Sequence, residues 1–388
     1  MFSYNIFMKI YDYLIIGAGS AGCNTAYLLQ KSGKEVAVVD REGIAGGASG
    51  AAGAFLSPLP GKKNLYNSFV NNALKFSLDF YEQLIPDEID KKGVLRVSND
   101  NFGQDKLKNN EIKHQYLDTN NLQIFSKYFQ NIDGYFYENA AIIEPINTCK
   151  KLLENCDFFK EDVQDINKSE QHYLVNNIKA KNIILAQGVN SPLIELPYMV
   201  ISPIFGLRID VKTDTKIPFN IHKSISVSTN KQDGTVSIGA TSQRHDTADM
   251  RCETTCDKCE FYINTDEAQT KTLLDQANEL IKLENIEVVK IYKGARASIK
   301  SYFPVIGKAI NYEASLNKHP SIKKGTKVPS SLLEYHENIY VINAFGSRGF
   351  VFGPYLAKIL CENILEEKEI PKELSCEKLF YKMARKQG

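Results

Sequence analysis

Residues 11–42 read YDYLIIGAGSAGCNTAYLLQKSGKEVAVVDRE, and no other stretch narrows the fold so far. Gly17, Gly19 and Gly22, with Ala18, Ser20 and Ala21 between them, form G-x-G-x-x-G directly after Tyr13 to Ile16, an apolar run that suits a strand buried on both faces. A helix carrying Ala26, Leu28 and Leu29 is expected next, with Gly33 where its C-cap falls; Val36 to Val39 then form a second buried strand ending at Asp40. Each glycine has its own task. Gly17 allows the tight turn, Gly19 lets backbone approach a pyrophosphate, and Gly22 lets helix and strand pack closely. The helix start offers free N–H groups and the positive end of its dipole to phosphates. Asp40 can accept from a ribose hydroxyl, and an acid rather than a base there argues against a 2′-phosphate; Arg41 stands beside it. A glycine loop alone fits an ordinary turn. Strand, helix, second strand and acid in this order point to a dinucleotide.

The chain has 388 residues, which suggests about two domains, and 43% hydrophobic with 24% charged residues is an ordinary globular composition. A net charge of +1 excludes a general nucleic-acid binder, so any polyanion must meet local basic patches. No apolar run is long enough to span a membrane. The opening MFSYNIFMKIYDYL is broken by Lys9 and Asp12 and lacks a basic n-region and a cleavage site, so no signal peptide is expected. Eight scattered cysteines fit a reducing cytosol, and a cytoplasmic location is expected.

Three later stretches bear on which dinucleotide binds. Residues 43–58, GIAGGASGAAGAFLSP, carry small residues, Ala48 and Ser49 among them, that let backbone lie against a flat ligand; a flexible surface loop is the alternative. Residues 180–192, AKNIILAQGVNSP, read as a buried strand ending in Ala186, Gln187 and Gly188, after an alternating meander that contains Val163; an ordinary strand-to-loop glycine is the alternative. Residues 343–360, NAFGSRGFVFGPYLAKIL, place Gly346, Ser347, Arg348, Gly349 and Phe350 between a strand and a helix whose apolar residues recur at helical spacing. Backbone N–H groups at such a helix start can bond a flavin's pyrimidine carbonyl and stabilise negative charge on the reduced ring.

GASG (47–50), FYEQL (80–84), GARASIKSYFPVIGKAINYEASL (294–316) and AFGSRGFVFGP (344–354) resemble the FAD-dependent D-amino-acid-oxidase-like superfamily over nearly the whole chain. Within it, the last two stretches look most like the oxidoreductase half of the bifunctional tRNA 5-methylaminomethyl-2-thiouridine biosynthesis proteins. The resemblance implies FAD as cofactor and a two-domain α/β (α+β mixed) fold. A Rossmann-like, glutathione-reductase-type FAD domain is expected from residues 8–86, 134–198 and 330–388, and a mixed, largely antiparallel substrate sheet from 87–133 and 199–329. It further implies an FAD-dependent oxidoreductase acting on a CH–NH group. Arg296, at the matching G-x-R position, is the candidate catalytic residue: in relatives that oxidise glycine-like amines an arginine there pairs with the substrate carboxylate, as a guanidinium fork can. Ser301 stands where related proteins often carry Asp, which leaves the role of that acid open here.

The substrate so implied is a tRNA wobble uridine bearing a 5-carboxymethylaminomethyl group, converted to 5-aminomethyl(-2-thio)uridine and glyoxylate. The alternative on the same fold is an oxidase of a free amino acid or secondary amine; a non-catalytic flavoprotein that binds tRNA or a protein is the third reading. Two basic clusters are candidate tRNA contacts: Lys378, Lys382 and Arg385 at helical spacing with Lys386, and Lys318, His319, Lys323, Lys324 and Lys327. Solvated charge is the alternative for both. The relatives' methyltransferase half has no counterpart in this sequence, which leaves open whether a separate methyltransferase acts downstream on the product. Cys252, Cys256 and Cys259 have a metal-ligand spacing, but free thiols are the reading adopted, and no metal site is assigned. None of the six histidines sits in a general-base motif, and His336 is read as packing.

Overall fold

A computed structural model of the chain describes residues 9–190, 192–244 and 266–386; Cys252, Cys256 and Cys259 lie outside them. β1 (Ile10–Ile16) is buried along the four residues that lead into the glycine loop, and α1 (Ser20–Lys31) and β2 (Val36–Val39) follow as the spacing predicts. Gly33 takes a left-handed φ of 75° just past α1, where only glycine is unstrained. The small-residue stretch forms a single turn, α2 (Ala48–Ala51), and α3 (Leu65–Leu84) is capped by the Asn64 side chain, which accepts from Asn67 N–H. β3 (Ile178–Leu185) then pairs parallel with β1.

β4 (Ser202–Lys212) and β5 (Glu287–Ser298) are the long antiparallel pair of a second sheet, which among the described residues has nine strands. Strand periodicity sorts its residues. Leu207, Ile209 and Val211 enter an apolar core with Ile238 and with Leu273 and Ala277 of the helix Asp266–Asn278. Gly206 and Arg208, on the other face, stand opposite Gly294 and Tyr292, and Ile204 stands opposite Arg296.

The chain returns to the first sheet through β6 (Val305–Ile310) and β7 (Tyr335–Asn343), and ends in α4 (Gly349–Glu366) and α5 (Cys376–Ala384). The main path of this sheet runs β6, β7, β3, β1, β2 and Asp157–Phe159, and eight strands belong to it among the described residues. Two segments pair across the expected division: β6, expected with the substrate unit, bonds to β7 in the first sheet, and Gly134–Tyr137, expected with the FAD unit, bonds to Val94–Arg96 in the second. Successive residues of the buried strands feed opposite layers. Ile15, Val38, Ile184 and Ile342 pack with α1 and α4; Leu14, Val39, Ile183 and Val341 pack with Phe380 of α5. A central sheet covered on both faces needs such strands, apolar throughout.

Candidate active site

One cleft of about 1590 Å³ runs between the two sheets. Its wall holds Gly17, Gly19, Ser20, Ala21, Asp40, Arg41, Ala48, Ser49, Val163, Ala186, Gly188, Gly346, Ser347, Arg348, Gly349, Phe350 and Arg296. Ala18 and Gly22, also expected at the cofactor, lie behind this wall. A Cβ on Gly22 would sit 1.9 Å from Gly17 O, so close helix–strand packing requires its glycine. Gly17 has φ 114°, and a Cβ there would meet Ala186 O at 2.3 Å.

Hydrogen bonds shape the first loop. Asp40 accepts from Ala18 N–H (2.8 Å), Glu42 N–H (2.9 Å) and Gly43 N–H (3.1 Å), which leaves about one of its four lone-pair sites for a ligand. Ser20 N–H donates to Ser49 Oγ at 2.9 Å, joining α1 to the small-residue turn. Arg41 is exposed, paired with Glu42 and 3.4 Å from Asn190 Oδ1.

The last loop is tied to the earlier ones. Asn343 donates to Gly188 O (2.9 Å), Gly346 N–H to Ala297 O (2.8 Å) and Ser20 Oγ to Gly349 O (2.9 Å). These bonds bring residues from four distant stretches to one cleft, and set Arg296, next to Ala297, beside the glycine turn that precedes α4.

Bare backbone and small side chains line the cleft from Asp40 to the start of α4. Gly188 (φ 59°) and Gly346 (φ 57°) have nothing within 4 Å of where a Cβ would stand. That is a cradle for a long, flat dinucleotide, and it fits FAD.

A model of the family described as FAD dependent oxidoreductase (DAO) matches residues 12–363. The chain belongs to the DAO family of FAD-dependent oxidoreductases. FAD is the cofactor of this family, and among described residues the only helices present are too short or too polar to cross a membrane. A tRNA 5-methylaminomethyl-2-thiouridine biosynthesis bifunctional protein of Legionella pneumophila (strain Philadelphia 1) is 25% identical over 93% of this chain and 55% of its own length. Its counterpart in Campylobacter fetus subsp. fetus is 25% identical over 91% and 56%. The chain thus spans about half the length of these curated relatives. Among solved structures, glycine oxidase from Geobacillus kaustophilus has a TM-score of 0.71 at 16% identity, covering 93% of this chain and 95% of that one. L-amino acid deaminase from Proteus myxofaciens has a TM-score of 0.71 at 14% identity, with coverages of 95% and 93%.

The end of this DAO-family cleft away from Asp40 is cationic. Arg296 donates to Thr241 O (3.2 Å), and burial pushes its guanidinium pKa down. Arg348 donates to Ser57 O (2.9 Å) and Arg96 to Pro58 O (3.0 Å); burial depresses both, Arg96 to about 10. Arg208, 1% exposed, donates to Ala52 O (2.8 Å), lies 3.9 Å from the Tyr292 ring centroid, and has no partner for Nη2. Its Nε is 3.8 Å from Asp210 Oδ1, so part of its charge is met within the sheet. His222 lines the same end, with Nδ1 2.7 Å from Ser226 Oγ. Burial, then Arg96 and Arg348, push its pKa down to about 3, so the ring is neutral at physiological pH. Arg96, Arg208 and His222 carry no signal in the sequence. Each sits in an unremarkable strand, and only the pairing of Asn220–His222 with Val94–Arg96 brings His222 level with Arg96.

Other expected residues sit elsewhere. Ser301 Oγ donates to Phe303 O (3.3 Å) and so helps hold the turn between β5 and β6. His336 is part of β7, and its Nε2 is buried without a partner. Lys318 is paired with Glu334, and His319 Nε2 lies 3.0 Å from Leu332 O. Lys323, Lys324 and Arg385, from the two basic clusters, line one surface depression.

Proposed function

We propose that the chain removes the carboxymethyl group of 5-carboxymethylaminomethyl(-2-thio)uridine at the tRNA wobble position, giving 5-aminomethyl(-2-thio)uridine and glyoxylate in the cytoplasm. The observation that carries this reading is Arg296, a half-buried guanidinium on the cleft wall with a single backbone acceptor. Such a fork can take a carboxylate in two parallel bonds and fix which C–H bond faces the cofactor. A Cβ on Gly206 would come within 2.7 Å of Arg296 Nη2, so the glycine makes room for the fork.

Gly17 to Gly22, Asp40, Arg41, Ala48, Ser49, Val163, Ala186, Gly188 and the loop Gly346 to Phe350 would hold FAD, the first sheet forming its domain and the second sheet the substrate side. When bound, FAD supplies the two-electron acceptor for the hydride of the carbon beside the substrate nitrogen. Arg96, Arg208 and Arg348 add a positive field at that end of the cleft, where negative charge is favoured. Neutral His222 can accept a hydrogen bond from the substrate amine without adding a further charge. The C=N bond left in the substrate is hydrolysed: water adds, the C–N bond breaks, and the two-carbon arm leaves as glyoxylate.

The test incubates the flavin-loaded protein with tRNA carrying the modified uridine and weighs the digested nucleosides. Loss of the two-carbon acid, absent in Arg296→Ala, is the expected result. Unchanged tRNA with brisk oxidation of free glycine or sarcosine would instead establish the small-amine oxidase.

A further inference from the structure

The turn between β5 and β6 holds an exposed tyrosine that the cleft chemistry does not use. Tyr302 is 69% exposed and has φ 62°, a left-handed backbone rare for a bulky residue. Its ring lies 6.5 Å from that of Tyr66, at the start of α3, and Tyr66 packs edge-on against Phe303 at 5.1 Å. Lys378 of α5 sits over the Phe303 ring at 5.1 Å. The segment leading to Tyr66 and α3 is tied to the cleft wall, where Arg348 donates to Ser57 O and Arg96 to Pro58 O.

The surroundings are basic. Lys300 precedes the turn and Lys62 lies on the loop before α3; both are exposed, and neither has an ion pair among the described residues. Lys63 beside it is paired with Glu111 at 3.2 Å. From Lys378 the line continues along α5 through exposed Lys382 to Arg385, about 10 Å away at 1.5 Å per residue, and there meets Lys323 and Lys324.

Resting on the tRNA reading above, we propose that this aromatic and basic face is an RNA-binding surface: exposed Tyr302, backed by Tyr66, stacks an unpaired anticodon-loop base, while Lys62, Lys300 and the α5 lysines contact the flanking phosphates. An enzyme acting on an anticodon base must receive it out of its stack, and exposed aromatic faces replace the lost stacking. Interleaved lysines supply the sequence-independent attraction. Neither feature serves a free amino acid small enough to lie wholly within the cleft.

The experiment titrates flavin-loaded protein into a labelled anticodon stem-loop RNA at several salt concentrations. Wild type should bind with a steep salt dependence. Tyr302→Ala should weaken binding about tenfold, and Tyr302→Phe, which keeps the ring, should restore it. Lys300→Ala should flatten the slope of log K against log salt by about 0.7, the loss of one phosphate contact. Bound-flavin absorbance and melting temperature report the fold of each variant. Equal binding by wild type and Tyr302→Ala would overturn the stacking surface while leaving the tRNA reading intact. No stem-loop binding by wild type at low salt would sink the tRNA reading and this surface with it.

Discussion

Arg296 and His222 face one cleft but respond to different perturbations. Arg296→Lys keeps the charge and loses the fork, so kcat/KM for a carboxylate-bearing substrate should fall by about 3 kcal/mol, roughly 100-fold, in a steady-state assay. His222 makes its prediction through stability. Its folded pKa lies near 3, below the ordinary 6.5. Below pH 6.5 the unfolded chain takes up a proton that the folded protein refuses. Stability therefore rises with pH between about 3 and 6.5 and is lost on acidification, by up to about 1.4 kcal/mol per pH unit. Urea unfolding across that range should show the slope, and His222→Gln should flatten it. Arg296 was legible only through the resemblance at its G-x-R position, and the structure sets it on the cleft wall. His222 was not: its pKa is set by burial and by two arginines remote in sequence, 96 and 348.

At the scale of elements, the β1–α1–β2 unit could be read directly, because strand, glycine turn and helix each impose a local pattern. The α4 end was legible for the same reason. The second sheet was not, since its short strands pair across long gaps, as Val94–Arg96 does with Asn220–His222. The packing of α1 on α4 gives a test. A Cβ on Gly353 would lie 2.5 Å from Ser20 Oγ and 2.6 Å from Asn24 Nδ2, and Asn24 is fully buried. Gly353→Ala should cost about 1–3 kcal/mol by overpacking, read as a lowered melting temperature. It should also loosen FAD binding, because Ser20 bonds Gly349 O at the mouth of the last loop.

At the scale of the molecule, FAD would be the ligand that both loop systems share. Free FAD at 100 times its Kd should stabilise stripped protein by about 2.7 kcal/mol, and calorimetry with and without it should show the shift. A chain whose first loop alone held the cofactor would retain FAD after the last loop is disrupted; Gly346→Val, at φ 57°, tests this and should release it. The staples from Ser20 to Gly349 O and from Gly346 to Ala297 O also order events in time. On the ribosome, the loop that opens the pocket is made more than three hundred residues before the loop that closes it. A nascent chain halted before Gly346 has one wall of the pocket and no lock for it. Should Gly346→Val release FAD, capture of the flavin becomes a late event in biosynthesis, and translation through the final glycine turn sets the earliest moment at which this protein can become yellow.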